Sequence, residues 1–196
     1  MTRPMRADAR RNYDRLLAEA QVVFGEHGTD ASLEELARRA GVGIGTLYRH
    51  FPTRDALIEA VVRDRFDRLA ARAEALRDAD AARDALATWL RLLIEGAGTF
   101  RGMSAALMTT LADETSQLYA SCHAMRAAGT DLLTRAQRAG EVRPDIDTDE
   151  LFTLAHGIAW AHEQRDTDDP HRLARLMEVV MFGLATRPRS DLDPAR

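Results

Sequence analysis

Apolar residues recur along this chain with the period of an α-helix almost from end to end. Tyr13, Leu16, Leu17, Ala20, Val23 and Phe24 fall at i, i+3, i+4, i+7, i+10 and i+11, a single stripe. Gly28 follows where a helix C-terminus takes glycine. Ser32, with Glu35 three residues on, has the form of a capping box, in which the hydroxyl accepts from one orphan amide and the carboxylate reaches back to another. A short helix is therefore predicted from Leu33 to Ala40, with Leu33, Leu36, Ala37 and Ala40 inward and Gly41 as its break. A second runs from about Gly43 to His50 and turns Ile44, Leu47 and Phe51 inward. Phe51-Pro52 ends it, because the residue before proline disfavours helical angles.

Thr53 then caps a long helix over 54–78 with Leu57, Val61, Phe66 and Leu69 among its apolar positions. Leu86, Trp89, Leu90, Leu93 and Ile94 form the next stripe, closed by Gly96 and Gly98, and 99–112 reads as a loop and a short helix. A helix over 116–139 carries Leu118, Cys122, Met125, Gly129, Leu132 and Ala136. "GEVRPDIDTDE" is a turn that ends in Asp147 as N-cap, with Glu150 three residues later. Final helices cover 148–165 and 171–187, split by the acidic turn at 166–170, and residues 188–196 form a tail without apolar period. No strand pattern, internal repeat or low-complexity linker interrupts this order. The expected fold is all-α with about nine helices: a three-helix module over 1–53, then a larger body over 54–187 entered through the helix at 54–78.

Composition changes this picture little. At 45 % hydrophobic and 30 % charged, with mean hydropathy −0.33, the chain has a globular make-up. All 27 basic residues are arginine, a bias that fits a GC-rich coding genome rather than a function. Their distribution is uneven: 1–54 holds 9 Arg against 7 acids, and 55–196 holds 18 against 24. A basic end on an acidic body fits nucleic-acid contact confined to one end. One cysteine, Cys122, excludes an intrachain disulfide and fits a reducing interior. With no 18-residue apolar run and no apolar stretch after the Arg-rich start, a cytoplasmic, nucleoid-associated protein without membrane contact is expected.

The glycines of "RRAGVGIGTLYRHF" admit two chemistries. As a phosphate cradle they require G-x-G-x-x-G after a strand, but Thr46 stands in the third glycine's place and "LEELARRA" before them is helical. A Walker loop requires a lysine, and the chain has none. As a helix-turn-helix corner they fit: Gly41 permits a positive φ, Val42 fills the corner, and the second helix offers Gly45, Thr46 and Arg49 outward with Tyr48 and His50 beside them.

"ASLEELARRAGVGIGTLYRHFPTRDALIEAVV" resembles the DNA-binding module of the tetracycline-repressor (TetR) family of bacterial regulators. The match covers roughly 10–65, and beyond it only the helical layout agrees. Arg54 stands where the family often has lysine and keeps the charge. The resemblance implies that Thr46, Tyr48 and His50 touch phosphates or nearby bases. It also implies that Gly45 and Arg49 face the groove, and that Arg54 and its helix N-terminus clamp a phosphate. Ser32 and Gly43, at the starts of the two short helices, complete the DNA-facing set. Arg49 is the candidate base reader, since Arg paired with guanine is the commonest specific contact. Tyr48 also has a core reading beside Leu47 and Phe51, and His50 a structural one. Arg3, Arg6, Arg10 and Arg11 form either an arm on the DNA backbone or a solvated start.

The resemblance further implies a homodimer on a palindromic operator that a small-molecule effector releases. Leu173, Leu176, Met177, Val180, Met181 and Leu184 make a long apolar stripe suited to the dimer surface, or to burial inside the subunit. Ala155, Gly157, Ala159 and Ala161 offer small residues beside it. Trp89, Phe100 and Met125 are the candidate effector-pocket residues, with plain core packing as their alternative. His156, Trp160 and Glu163 share a face, but no convergent ligand set appears, so neither metal nor cofactor is expected. Two readings emerge: a ligand-responsive repressor, or an all-α small-molecule binding protein or enzyme whose glycines are structural. The second lacks a nucleophile–base pair or clustered carboxylates.

Overall fold

The computed structural model describes residues 3–95, 105–163, 169 and 171–185. These form nine α-helices: α1 (Arg3–His27), α2 (Leu33–Arg39), α3 (Ile44–His50), α4 (Arg54–Ala75), α5 (Ala82–Glu95), α6 (Ala105–Ala112), α7 (Gln117–Arg138), α8 (Thr148–Glu163) and α9 (Arg172–Leu184). Among the described residues there is no strand, only an isolated antiparallel bridge between Val142 and Ala185. No described helix is long and apolar enough to cross a membrane. The tail after 187 and the turn at 166–168 lie outside the described residues, and so does Phe100.

The helices start and stop where the local chemistry directs. Gly28, Gly41 and Gly140 adopt positive φ of 77°, 67° and 72° at the ends of α1, α2 and α7. At Gly41 the amide of Val42 donates to Ala37 and that of Gly41 to Arg38, at 3.0 and 3.1 Å, closing a Schellman turn. Thr53 caps α4 by accepting from the Ala56 amide at 3.0 Å. Asp147 and Glu150 form a full capping box: the Asp147 carboxylate accepts from the Glu150 amide at 2.8 Å, and the Glu150 carboxylate from the Asp147 amide at 3.0 Å. The box at α2 differs. Ser32 accepts from the Glu35 amide at 3.3 Å, but Arg38 takes the Glu35 carboxylate instead, and the Ser32 hydroxyl donates to Glu34. An arginine one turn on outcompetes the backbone amide for the carboxylate.

By its contacts the chain divides into two compact units: Met1–Arg68 with Gly96–Ala124, and Leu69–Glu95 with Met125–Arg196. The first holds the helix-turn-helix. There α1 packs on α2 and α3, and α2 on α3, around Leu16, Ala20 and Phe24 of α1, Leu36 of α2, Leu47 of α3 and Leu57 of α4, all essentially without exposure. The second unit is built on Trp89 of α5, which is fully buried. Its indole N–H donates to the Leu69 carbonyl at 2.8 Å, and its ring meets Phe152 of α8 edge-on with centroids 5.8 Å apart. Gly129 of α7 lets the indole in: a Cβ there would stand 2.5 Å from the ring. The end of α9 is tied down by the Arg143 amide on the Leu184 carbonyl and by Arg83 on the Met181 carbonyl, both at 2.9 Å.

Candidate nucleic-acid interface

The two short helices form the corner that the sequence predicts, and α3 divides into an anchored face and an open one. Leu47 has no exposure and Phe51 3 %. Ile44, the first residue of the helix and expected inward, is only half-buried. On the open side Gly45 and Arg49 are exposed, and so is Tyr48 at 45 %. The Tyr48 ring therefore points out of the core, and only its neighbour Leu47 packs. Thr46 is half-buried.

His50 is half-buried, with its ring edge-on to Tyr13 of α1 at 6.0 Å and tilted against Phe51 at 6.3 Å. These ring contacts agree with the structural reading of this residue. Gly43 caps α3 with extended backbone, φ −74° and ψ 149°, and no side-chain hydrogen bond. A Cβ at Gly43 or Gly45 would meet nothing within 4 Å. Ser32 is exposed, and its hydroxyl serves the start of α2.

Arg54 does something the motif did not announce. Its Nη1 donates to the carbonyls of Thr29 and Ala31 at 2.6 and 2.7 Å, so one guanidinium nitrogen pins the turn between α1 and α2. No periodicity signals this bond, since its partners lie more than twenty residues back in the chain. Arg15 of α1 was likewise missed: its guanidinium lies 2.5 Å from where a Cβ of Gly41 would stand, so it covers the corner. Only the fold brings these groups together.

Several charges of the unit are paired within it. Arg38 pairs with Glu35 and holds that carboxyl below the ordinary carboxylate range through the hydrogen bond. Arg39 lies 3.3 Å from both Glu19 and Glu26, and Arg11 pairs with Asp8. Arg49, by contrast, is exposed and makes no ion pair or hydrogen bond among the described residues. α1 starts at Arg3, so Arg10 and Arg11 stand on a helix rather than on a loose arm.

In the second unit two of the candidate effector residues, Trp89 and Met125, are buried. Trp89 is closed off as described, and Met125 is 4 % exposed. Arg126 lies over the Phe152 ring at 4.6 Å and pairs with Asp149. The stripe on α9 separates into two rows. Leu173, Met177, Met181 and Leu184 are buried by their own chain, and Leu176 and Val180 are half-buried. The apolar side chains left outside are Val179 at 70 % and Phe182 at 63 %, with Trp160 at 66 % and Leu154 at 44 % on α8. Of the small residues of α8, Ala155 and Ala159 are buried and Gly157 is exposed.

Comparison with known proteins agrees with this geometry. Residues 16–61 match the family model described as bacterial regulatory proteins of the tetR family, and 81–186 match the SbtR-like transcriptional regulator C-terminal domain. The HTH-type transcriptional repressor Rv1474c of Mycobacterium tuberculosis is 30 % identical over 174 residues, 84 % of this chain and 88 % of the relative. Among solved structures, the TetR regulator SCO0520 of Streptomyces coelicolor is 39 % identical with TM-score 0.72, covering 89 % of this chain and 99 % of that one. A TetR regulatory protein from Mycobacterium vanbaalenii is 34 % identical with TM-score 0.67, covering 93 % and 100 %.

Proposed function

Because the chain belongs to the TetR family of bacterial transcriptional regulators, and so is a DNA-binding regulator, we propose that it is a homodimeric, non-enzymatic repressor. In this reading it sits on a palindromic operator and leaves it when a small molecule enters the body. The observation that carries the DNA side is the division of α3. Leu47 and Phe51 lock the helix into its unit, while Gly45, Tyr48 and Arg49 stand open on the other side. Tyr48 and Thr46 are suited to phosphate oxygens, which position a helix without reading sequence. Arg49, with no partner of its own among the described residues, is the base reader.

Arg54 supports the interface chiefly by holding the α1–α2 turn, and its remaining guanidinium nitrogens are suited to a phosphate. The dimer surface in this reading is the outer row, Val179 and Phe182 with Trp160 and Leu154, rather than the buried row behind it. α4 contributes residues to both compact units, so a ligand that displaces it in the body also displaces its DNA end.

The test is binding to the DNA upstream of the gene. Wild-type protein should select a palindromic duplex with strong salt dependence. Arg49→Ala should weaken that binding by about tenfold or more, since a bidentate Arg–guanine contact carries roughly 1–3 kcal/mol, and should relax preference at one base pair in each half-site. Wild-type affinity and preference in Arg49→Ala would remove the arginine from this role.

A further inference from the structure

Arg63 of α4 is half-buried, and its guanidinium joins two other helices of the same compact unit. Nη1 donates to Oε1 of Gln117, the first residue of α7, at 2.5 Å, and Nη2 to the phenol oxygen of Tyr13 on α1 at 3.4 Å. The Tyr13 ring in turn lies 5.0 Å from Phe51 and 6.0 Å from His50, centroid to centroid, at the C-terminal end of α3. Four elements thus meet in one run of side chains: Gln117, Arg63, Tyr13 and the His50–Phe51 pair.

The far end of this run is tied by local hydrogen bonds. Asp113 accepts from the amide and hydroxyl of Thr115 at 2.9 and 2.7 Å. The Ser116 hydroxyl donates to the Thr110 carbonyl of α6 at 2.7 Å and accepts from the Tyr119 amide of α7 at 2.9 Å. Gln117 is therefore carried with the α6–α7 corner as one piece. A second polar clasp between α1 and α4, Gln21 to Asp64 at 2.6 Å, has no ring contact with α3 and serves as a built-in control.

We propose that Arg63 is a positioning residue that couples the α6–α7 corner to the seating of the recognition helix. The proposal rests on the reading that α3 binds DNA. The guanidinium fixes the tilt of the Tyr13 ring through its hydroxyl, and the ring fixes the end of α3 that carries His50. Displacing the α6–α7 corner pulls Gln117 off Arg63, frees Tyr13 and loosens α3 without any contact to DNA. Energetic coupling between residues that do not touch is what such a relay requires.

The experiment uses the full chain and a duplex that the wild-type protein recovers from a random-sequence pool, with affinity read by fluorescence anisotropy at fixed salt and Tm measured alongside. Tyr13→Phe and Arg63→Gln should each weaken binding about 3- to 10-fold, the scale of one lost hydrogen bond, with Tm nearly unchanged. Gln117→Ala, on α7, should weaken it about threefold, and the Tyr13→Phe/Gln117→Ala double variant should be no weaker than Tyr13→Phe alone. Gln21→Ala should bind as wild type. Multiplied losses in the double variant, or wild-type affinity in Gln117→Ala, overturn the relay and leave the DNA reading standing. If the wild-type protein recovers no duplex, the DNA reading falls and takes the relay with it.

Discussion

An alanine at position 45 would place its methyl in open space, inside a helix that glycine weakens by roughly 1 kcal/mol. The chain's own packing and backbone therefore give no reason for glycine there, whereas the proposed seating of α3 against a DNA backbone does. Gly45→Ala should raise the thermal midpoint slightly and lower operator affinity, two opposite signs from one substitution, measured by melting and mobility shift. Gly129 is the reverse case. A Cβ there would lie 2.5–2.8 Å from two Trp89 ring carbons, and overpacking of this kind costs about 1–3 kcal/mol. Gly129→Ala should lower the denaturant midpoint although alanine is the better helix former. Reading residues in order shows both glycines on helices but cannot separate them, because the difference is what stands opposite. The same limit applies to Ile44, whose spacing points it inward while it stands half-buried at the helix start.

At the level of single elements, capping signals were the most readable part of the chain, since each is settled within four residues. Thr53, Asp147, Gly28 and Gly41 all act as their spacing predicts. The exception is instructive: Glu35 faces a choice between the backbone and Arg38, and the guanidinium wins. Asp147→Ala should therefore cost about 1 kcal/mol by urea melting, as loss of an N-cap does. Glu35→Ala should cost clearly less than that, because solvent screens an exposed i,i+3 ion pair. Equal losses would mean that the Ser32 box closes in solution after all. Bonds across sequence distance, such as Arg54 on the α1–α2 turn or Arg135 on the Leu76 carbonyl, leave no periodic trace and become visible only once the helices are packed.

For the whole molecule, the all-helical plan was readable because every long helix is amphipathic in its own right. What periodicity could not assign was which apolar row of α9 its own subunit covers. The helix is apolar around much of its circumference, and the row at Leu173, Met177, Met181 and Leu184 turned out to be the covered one. The row outside it sets a test for assembly. Val179→Glu, on a side chain 70 % exposed, should leave the monomer's stability within about 0.5 kcal/mol, as surface changes do. In light scattering it should shift the protein to monomer mass, with operator affinity falling together with the mass. A wild-type dimer whose mass Val179→Glu leaves unchanged would remove this row from the proposed dimer contact.

The two tryptophans carry a practical corollary. Trp89 is sealed in the core with its N–H bonded to a carbonyl, while Trp160 stands 66 % exposed on α8. The protein thus contains two fluorophores with opposite access to solvent and needs no added label. A soluble quencher should reach only Trp160 in the folded chain and both rings in the unfolded one. Concentration-dependent shielding of Trp160, with Trp89 as the internal reference, would then give the association constant of whatever covers α8, optically and in a single titration.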